Sequence, residues 1–409
     1  MSITCEAARV TAVEDADLSF PFPIRPGLQL EPEYARLRAE SPITPVRLPE
    51  GDNAWLVTRY ADVRRILLDG RFSRALACEP GSPRITAVPP PNSMIISMDP
   101  PHHTRLRSIV AKEFTVRRVG QLRANAERML NGLLDNLEQG PRPADFVAEV
   151  AQQFPVLVVG ELLGVSASER TAFGGWAQTL LGASSADQDR AMAALGKLAG
   201  YVCDMVAARR THPTQDLIGS LVRAHDEHDR LTDDELVTFG ITLLAAGFDT
   251  TADQIANAVY VLLTHPDQYR LLRGNPRLVT TAVEELMRYI PLATTTALPY
   301  VATVDVEFES VTISKGDTVL LSIISANKDS DVFVNADQLD LARDPNPHIG
   351  FGHGIHHCLG AQLARMQLQV LLTLLPQRFP DLALATPSDD VTWKHAMLTR
   401  GPAQLPVTW

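Results

Sequence analysis

Apolar residues recur at helical spacing through most of the chain. The pattern predicts helices over 31–40, 60–69, 103–113, 116–138, 144–164, 168–182, 187–210, 214–225, 233–264, 267–273, 277–289 and 359–378. Strand-like alternation is confined to "NAWLVT" (53–58), "VDVEFESVTI" (304–313) and "DTVLLSII" (317–324), the last two joined by a turn at Lys315-Gly316. Pro21, Pro23 and Pro26 break up residues 1–30. No repeat at a fixed period and no low-complexity linker interrupts the pattern. The expectation is one mainly α domain over 1–409 with a small β region and an irregular N-terminal segment, 1–30.

The 233–264 helix is the longest. Thr232 and Glu235 fit a capping box at its start, Leu231 and Leu236 a hydrophobic staple, and His265-Pro266 ends it. Such a helix spans roughly 48 Å and must run through the centre of the fold. Its middle reads "LLAAGFDTT", 243–251. Gly240 and Gly247 share a face to within about 20°. With Ala246 they leave a groove where a flat ligand would approach the backbone, or alternatively a seat for a crossing helix. Thr250 falls close to that face and is placed to bond the carbonyl of Ala246. Asp249 lies about 200° from Gly247 and points behind.

Two irregular stretches stand out. Residues 79–101 hold seven prolines yet also Met94, Ile95, Ile96 and Met98, as a lid or binding loop would. Residues 325–350 lead into "PHIGFGHGIHHCLGAQLAR", 347–365.

Composition narrows the function. A net charge of −11 argues against general nucleic-acid binding. No apolar run reaches membrane-spanning length and no secretory signal is visible, so the expected location is the cytoplasm. Cys5, Cys78, Cys203 and Cys358 have no paired spacing, as in a reduced chain.

The 347–365 stretch offers His348, His353, His356, His357 and Cys358 to a metal. Zinc fits poorly, because the spacing is not that of a structural site. A helix pattern follows Cys358 directly, so free amides and the helix dipole would favour its thiolate. Glycines at 350, 352 and 354 would let the backbone pass a flat cofactor, and Gly360 would allow close approach one turn later. Haem held by a cysteine thiolate meets those demands.

"FGHGIHHCLG" (351–360) matches the haem-binding signature of the cytochrome P450 family: Phe, Gly, any, Gly, any, His or Arg, any, Cys, any, Gly. "AGFDTT" (246–251) resembles the oxygen-activating motif of that family's long helix, and "DPPHHTRLR" (99–107) its haem-side helix in bacterial members. Glu-x-x-Arg occurs at Glu6/Arg9, Glu33/Arg36, Glu227/Arg230 and Glu285/Arg288. Only Glu285/Arg288 lies between the oxygen motif and the cysteine, where the family has a structural pair. The chain therefore resembles soluble bacterial P450s of the natural-product-tailoring type. The resemblance implies the P450 fold, with the long helix over the haem and the cysteine-loop helix beneath it. It implies haem b (iron protoporphyrin IX) ligated by Cys358. It also places Ala246, Gly247, Phe351 and Gly360 against the cofactor, and His103, Arg107 and His356 on the propionates. Tyr300 falls where many bacterial members carry another propionate arginine, so a hydroxyl replaces a charge there.

The implied activity is monooxygenation by O2, a hydroxylation or epoxidation of an apolar natural product, with Thr250 and Asp249 delivering protons. Candidate pocket walls are Met94, Met98, Leu243, Phe248, Ala293, Thr294, Thr295, Met397 and Leu398. Electrons would come from a ferredoxin and its reductase, docking on Arg105, Lys112, Arg117 and Arg118, to a monomeric enzyme. Other readings stand beside this one: a peroxygenase, nitric oxide reductase or rearranging haem–thiolate enzyme, a non-catalytic haem protein, and a zinc protein.

Overall fold

The computed structural model describes residues 18–51, 53–85, 91–166, 168–181, 188–226, 231–293, 298–394 and 399–409. Its helices are α1 (Pro32–Glu40), α2 (Tyr60–Leu68), α3 (His102–Val110), α4 (Val116–Gly120), α5 (Arg123–Gln139), α6 (Gln153–Leu163) and α7 (Arg170–Leu181). They continue with α8 (Gln188–Thr211), α9 (Leu217–Asp226), α10 (Asp233–Thr264), α11 (Pro266–Gly274), α12 (Val279–Tyr289), α13 (Ile323–Ala326) and α14 (Ala361–Arg378). No described helix is long and apolar enough to cross a membrane.

The centre is α10, which packs against α6, α7, α8, α9, α11 and α14. Its start is the predicted one: the Glu235 amide donates to Thr232 Oγ1 at 3.1 Å, and the Thr232 amide to Glu235 Oε2 at 2.9 Å. Residues 251–259 are buried on every side, as expected of a helix with no solvent face. The polar groups in that run have work to do. Gln254 Nε2 donates to the Leu286 carbonyl (3.2 Å), and Asn257 Nδ2 to the Arg400 carbonyl (2.8 Å).

Strands occur where long-range pairing decides. β1 (Ile43–Arg47), β2 (Asn53–Val57), β3 (Phe72–Ser73), β5 (Tyr300–Ala302) and β8 (Thr318–Leu321) form one sheet in the order β1-β2-β8-β5-β3. β8 runs parallel to β2 and antiparallel to β5. The expected pairing of 304–313 with 317–324 does not form. Instead β6 (Val306–Glu307) and β7 (Thr312–Ile313) make their own two-stranded ladder, and β8 is claimed by its sheet neighbours. The expected helix over 144–164 begins late for the same kind of reason. Ala144–Asp145 is a strand, β4, paired with β10 (Pro406–Thr408), which also pairs with β9 (Ala383–Leu384), and Asp145 Oδ1 accepts from the amides of Val147 and Leu405. The 116–138 helix is two, α4 and α5.

One buried ion pair sets the course of the long irregular segment after α13. Glu285 and Arg288 of α12 have no exposed side-chain surface. Arg288 donates through Nε and Nη2 to both Glu285 oxygens at 2.8 Å. It also reaches the carbonyls of Asn327 (3.0 Å), Ala336 (2.7 Å) and Gln338 (3.2 Å), so all its N–H groups are used. Glu285 further accepts from the Asp340 amide (3.0 Å), Arg343 Nε (3.0 Å) and Asn346 Nδ2 (3.1 Å). Of the other Glu-x-x-Arg pairs, Glu33/Arg36 lies partly in solvent, with Arg36 turned to Glu40. Glu6/Arg9 and Glu227/Arg230 lie outside the described residues.

Arg288→Ala strands a buried carboxylate and three carbonyls. It should cost about 3–5 kcal/mol, read as a fall in the urea unfolding midpoint. Arg288→Lys should recover only part of this, because an ammonium cannot match the forked donor set.

Candidate active site

The glycines of the cysteine loop serve the protein's own backbone. A Cβ on Gly350 would lie 2.6 Å from the Met287 carbonyl oxygen. Gly354 has a φ of +69°, and its Cβ would fall 2.1 Å from the carbonyl oxygen of Leu67. The expectation that they make way for a flat cofactor is corrected to that extent. Gly360, the N-cap of α14, does face open space.

Cys358 sits just before that N-cap, its amide donating to the Phe351 carbonyl at 2.8 Å. The side chain is accessible yet walled by protein, so it opens into a recess. Burial pushes its thiol up, against the pull of the Gly360 amide and of Arg107 and Arg365. The Gly360 amide lowers it, as a helix terminus should, but desolvation outweighs that pull.

The histidines divide by partner. His348 is a brace: Nε2 meets Glu284 Oε2 at 2.9 Å, and Nδ1 accepts the Gly350 amide at 3.1 Å. Arg365 of α14 holds the same Glu284 at 2.7 and 2.8 Å and lies over the Phe351 ring, 4.5 Å from its centroid. Burial would raise the Glu284 carboxyl, but hydrogen bonds from His348 and Arg365 prevail and hold it at about 2. The His357 carbonyl accepts from Arg107.

His103 and His356 lie together, ring centroids 4.4 Å apart. His103 is buried, and neither of its ring nitrogens has a partner. Burial lowers its pKa, with Arg107 and Arg74 adding to the effect. His356 falls to about 3, through burial and then Arg74, His103 and Arg107. The Arg74 guanidinium lies over the Tyr300 ring at 4.5 Å from its centroid, with Nε buried and unpartnered. The nearby acid, Asp99, is already engaged by the Ser73 hydroxyl and the Arg74 amide. Donors in surplus of acceptors thus surround the face of α3 nearest the cysteine loop. That is the complement of a ligand bearing carboxylates, and haem propionates fit it.

On α10, Ala246 and Thr250 are exposed although the turns beyond them are buried. Thr250 Oγ1 donates to the Ala246 carbonyl at 2.8 Å, as expected. Asp249 lies 3.5 Å from Lys394 Nζ, which also holds Asp253 at 2.6 Å. Asp253 Oδ2 accepts from Thr399 as well, at 2.7 Å. Burial raises the Asp253 carboxyl. Lys394 is raised too, because Asp253 and Asp249 outweigh its own burial.

The Cβ directions of Gly240 and Gly247 meet Val202 of α8 at 2.8 Å and Val159 of α6 at 3.3 Å, so both glycines seat crossing helices. Phe248 is buried in the core and is not a pocket wall. Leu243, Met94, Met98 and Ala293 are half-buried. A bridge between Ala293 and Thr399 joins the chain after α12 to the C-terminal segment. Thr294, Thr295, Met397 and Leu398 lie outside the described residues. Two surface clefts, of about 710 and 480 Å³, open beside Arg38 and Lys328; Cys358, His103 and Thr250 line neither.

Sequence reasoning missed Arg74, Lys394 and Asp253. Asp253 was within reach, one turn beyond Asp249 on the same helix face. Arg74 and Lys394 come from remote segments, and no local pattern marks them.

The family model described as "Cytochrome P450" matches residues 188–406. The nocardicin C N-oxygenase of Nocardia uniformis subsp. tsuyamanensis is 48% identical, over 96% of this chain and 98% of its own length. The mycinamicin IV hydroxylase/epoxidase of Micromonospora griseorubida is 44% identical, with the same coverage, 96% and 98%. Among solved structures, the LnmA cytochrome P450 hydroxylase from the leinamycin pathway of Streptomyces atroolivaceus is similar at a TM-score of 0.90. It is 45% identical, over 96% of this chain and 100% of that one.

The Glu284 carboxyl, held at about 2 when folded against 4.5 ordinarily, contributes stability fully present above pH 4.5. That contribution is lost as pH falls from 4.5 toward 2. Glu284→Gln should cost about 3 kcal/mol at pH 7. It should also flatten the fall of the urea midpoint between pH 5 and 3 relative to the wild type.

Proposed function

The chain belongs to the cytochrome P450 family of haem–thiolate monooxygenases, and on that footing we propose that Cys358 is its iron ligand and that Thr250 and Asp249 handle the protons of oxygen activation. The observation that carries the reading is the buried, unpartnered His103 beside His356 and Arg107, next to the cysteine loop. Haem b carries two carboxylates that would satisfy this donor set, and Cys358 would hold its iron. When bound, the haem supplies the iron at which dioxygen is activated, and thiolate donation favours O–O cleavage.

The chain's own residues have three tasks. The Cys358 loop sets sulfur in place through the Phe351 carbonyl and the Gly360 amide. A cation there would counter the burial that raises the thiol. Thr250 holds its hydroxyl proton on the Ala246 carbonyl and releases it by a rotation about one bond. Asp249 is the more loosely held of the two carboxylates that share Lys394, so it can leave that contact and carry a proton. The half-buried Met94, Met98 and Leu243 favour an apolar substrate of irregular shape.

The named relatives carry out N-oxygenation, hydroxylation and epoxidation. We assign hydroxylation or epoxidation of an apolar natural product to this chain, in the cytoplasm. Electrons come from an acidic ferredoxin and its reductase. Lys112 and Arg117 are exposed beside the exposed Val116, on the α3–α4 region that packs against the cysteine helix α14. Arg105 and Arg118, also expected in this patch, are tied to Glu235 and Glu113.

Cys358→Ser should abolish the red-shifted carbon monoxide band of the reduced protein, and an unchanged band would rule out this ligand. Thr250→Ala should keep substrate binding but send most reducing equivalents to peroxide or water. Undiminished coupling of NAD(P)H use to product would remove Thr250 from proton delivery.

A further inference from the structure

Tyr300 occupies the position where a cationic propionate contact is expected, and the sheet register places a cation directly opposite it. β3 and β5 run antiparallel, with Phe72 opposite Ala302 and Ser73 opposite Val301. The next pair in that register is Arg74 opposite Tyr300. Directly opposed positions are the closest neighbours across two strands. The Arg74 guanidinium accordingly lies on the Tyr300 ring, 4.5 Å from the centroid. A cation over an aromatic face is held there by the ring quadrupole.

The backbone beneath it is pinned. Asp99 takes the Arg74 amide at 2.9 Å and the Ser73 hydroxyl, and Ser73 Oγ accepts the Leu76 amide at 3.0 Å. Asp99 stands just before the helix that carries His103 and Arg107, so Arg74 and these two are fixed to one another through a single carboxylate. The side chain remains unsatisfied. Arg74 Nε is buried and has no partner, and the same is true of both nitrogens of the neighbouring His103. A buried guanidinium N–H without an acceptor is costly unless a ligand supplies one.

We infer that Arg74 binds a haem propionate, supplying from β3 the positive charge that Tyr300 lacks on β5, with the Tyr300 ring as its platform. This rests on the haem reading above. The cation stands at the end of β3 and the aromatic ring opposite it on β5.

The test uses the holoenzyme and two readouts: the propionate-bending band in the resonance Raman spectrum, and the rate of haem transfer to excess apomyoglobin. Arg74→Gln should move the band to lower frequency and speed haem loss on the order of tenfold, the value of one charge-assisted hydrogen bond. The double variant Arg74→Gln/Tyr300→Arg, which returns the cation to β5, should restore both. An unchanged band in Arg74→Gln overturns the inference. So does faster haem loss with the band unmoved, since that marks a packing role alone. Should Arg74→Gln not fold, Arg74→Lys is judged by the same band, which must shift because the forked donor is gone. A wild-type protein without the red-shifted carbon monoxide band would instead defeat the haem–thiolate reading, whatever Arg74 does.

Discussion

Glu285 and Arg288 form an ion pair that water does not reach, and the position of the cysteine depends on it. Taking both charges out of solvent costs several kcal/mol each, so the pair persists only where hydrogen bonds use every donor and acceptor. Here the partners are backbone groups at 327, 336, 338 and 340 and the side chains of Arg343 and Asn346. Those contacts fix a segment that has almost no regular structure of its own. The same segment continues directly into the loop: Asn327 Oδ1 accepts the Ile349 amide at 2.9 Å. The adjacent glutamate, Glu284, turns to the other side and clamps His348 and Arg365. Two neighbouring carboxylates on one helix thus determine the chain from 327 to 365, with Cys358 inside it.

The donor cluster around α3 obeys the opposite rule. Where Glu285 and Arg288 are saturated, both ring nitrogens of His103 and Arg74 Nε are left without partners. An unmet buried polar group costs about 1–3 kcal/mol, so a fold keeps few of them without cause. Arg74 Nε and one ring nitrogen of His103 carry N–H groups beside Arg107 and His356, so an anionic ligand would meet donors already in place. On the proposed function, the recess at Cys358 would give that ligand its second point of attachment.

How much was legible follows from what each feature depends on. The long helix was found with its bounds, because capping residues and periodicity are local information. The buried Glu285/Arg288 pair was chosen among four equal matches only by its place between two motifs. Features fixed by distant partners were misread. Asp145 looks helical until Leu405 and β10 meet it, and residues 317–324 look like half of a hairpin until β2 claims them. β1 escaped notice because Pro45 interrupts it, which an edge strand tolerates. Glycines carried the same ambiguity. Their sequence spacing showed that something approaches the backbone, and only the fold showed that it was Val159, Val202, Met287 and Leu67.

That last correction changes how the middle of α10 works. Gly240 and Gly247 bring α8 and α6 close, which fixes the helix from behind and leaves Ala246 and Thr250 on the open side. The carbonyl of Ala246 takes the Thr250 hydroxyl, so one turn carries a proton donor held by a single weak contact. On the flank of the same turn Lys394 serves two carboxylates. It grips Asp253 at 2.6 Å, where Thr399 assists, and touches Asp249 at 3.5 Å. Asp253 is therefore the anchor and Asp249 the member free to move. Lys394 and Thr399 bracket residues 395–398, and Thr399 bridges Ala293 at the end of the α12 connection. Lys394 and Thr399 thus tie the chain after α12 and the C-terminal segment to Asp253 and, more loosely, to Asp249 on α10.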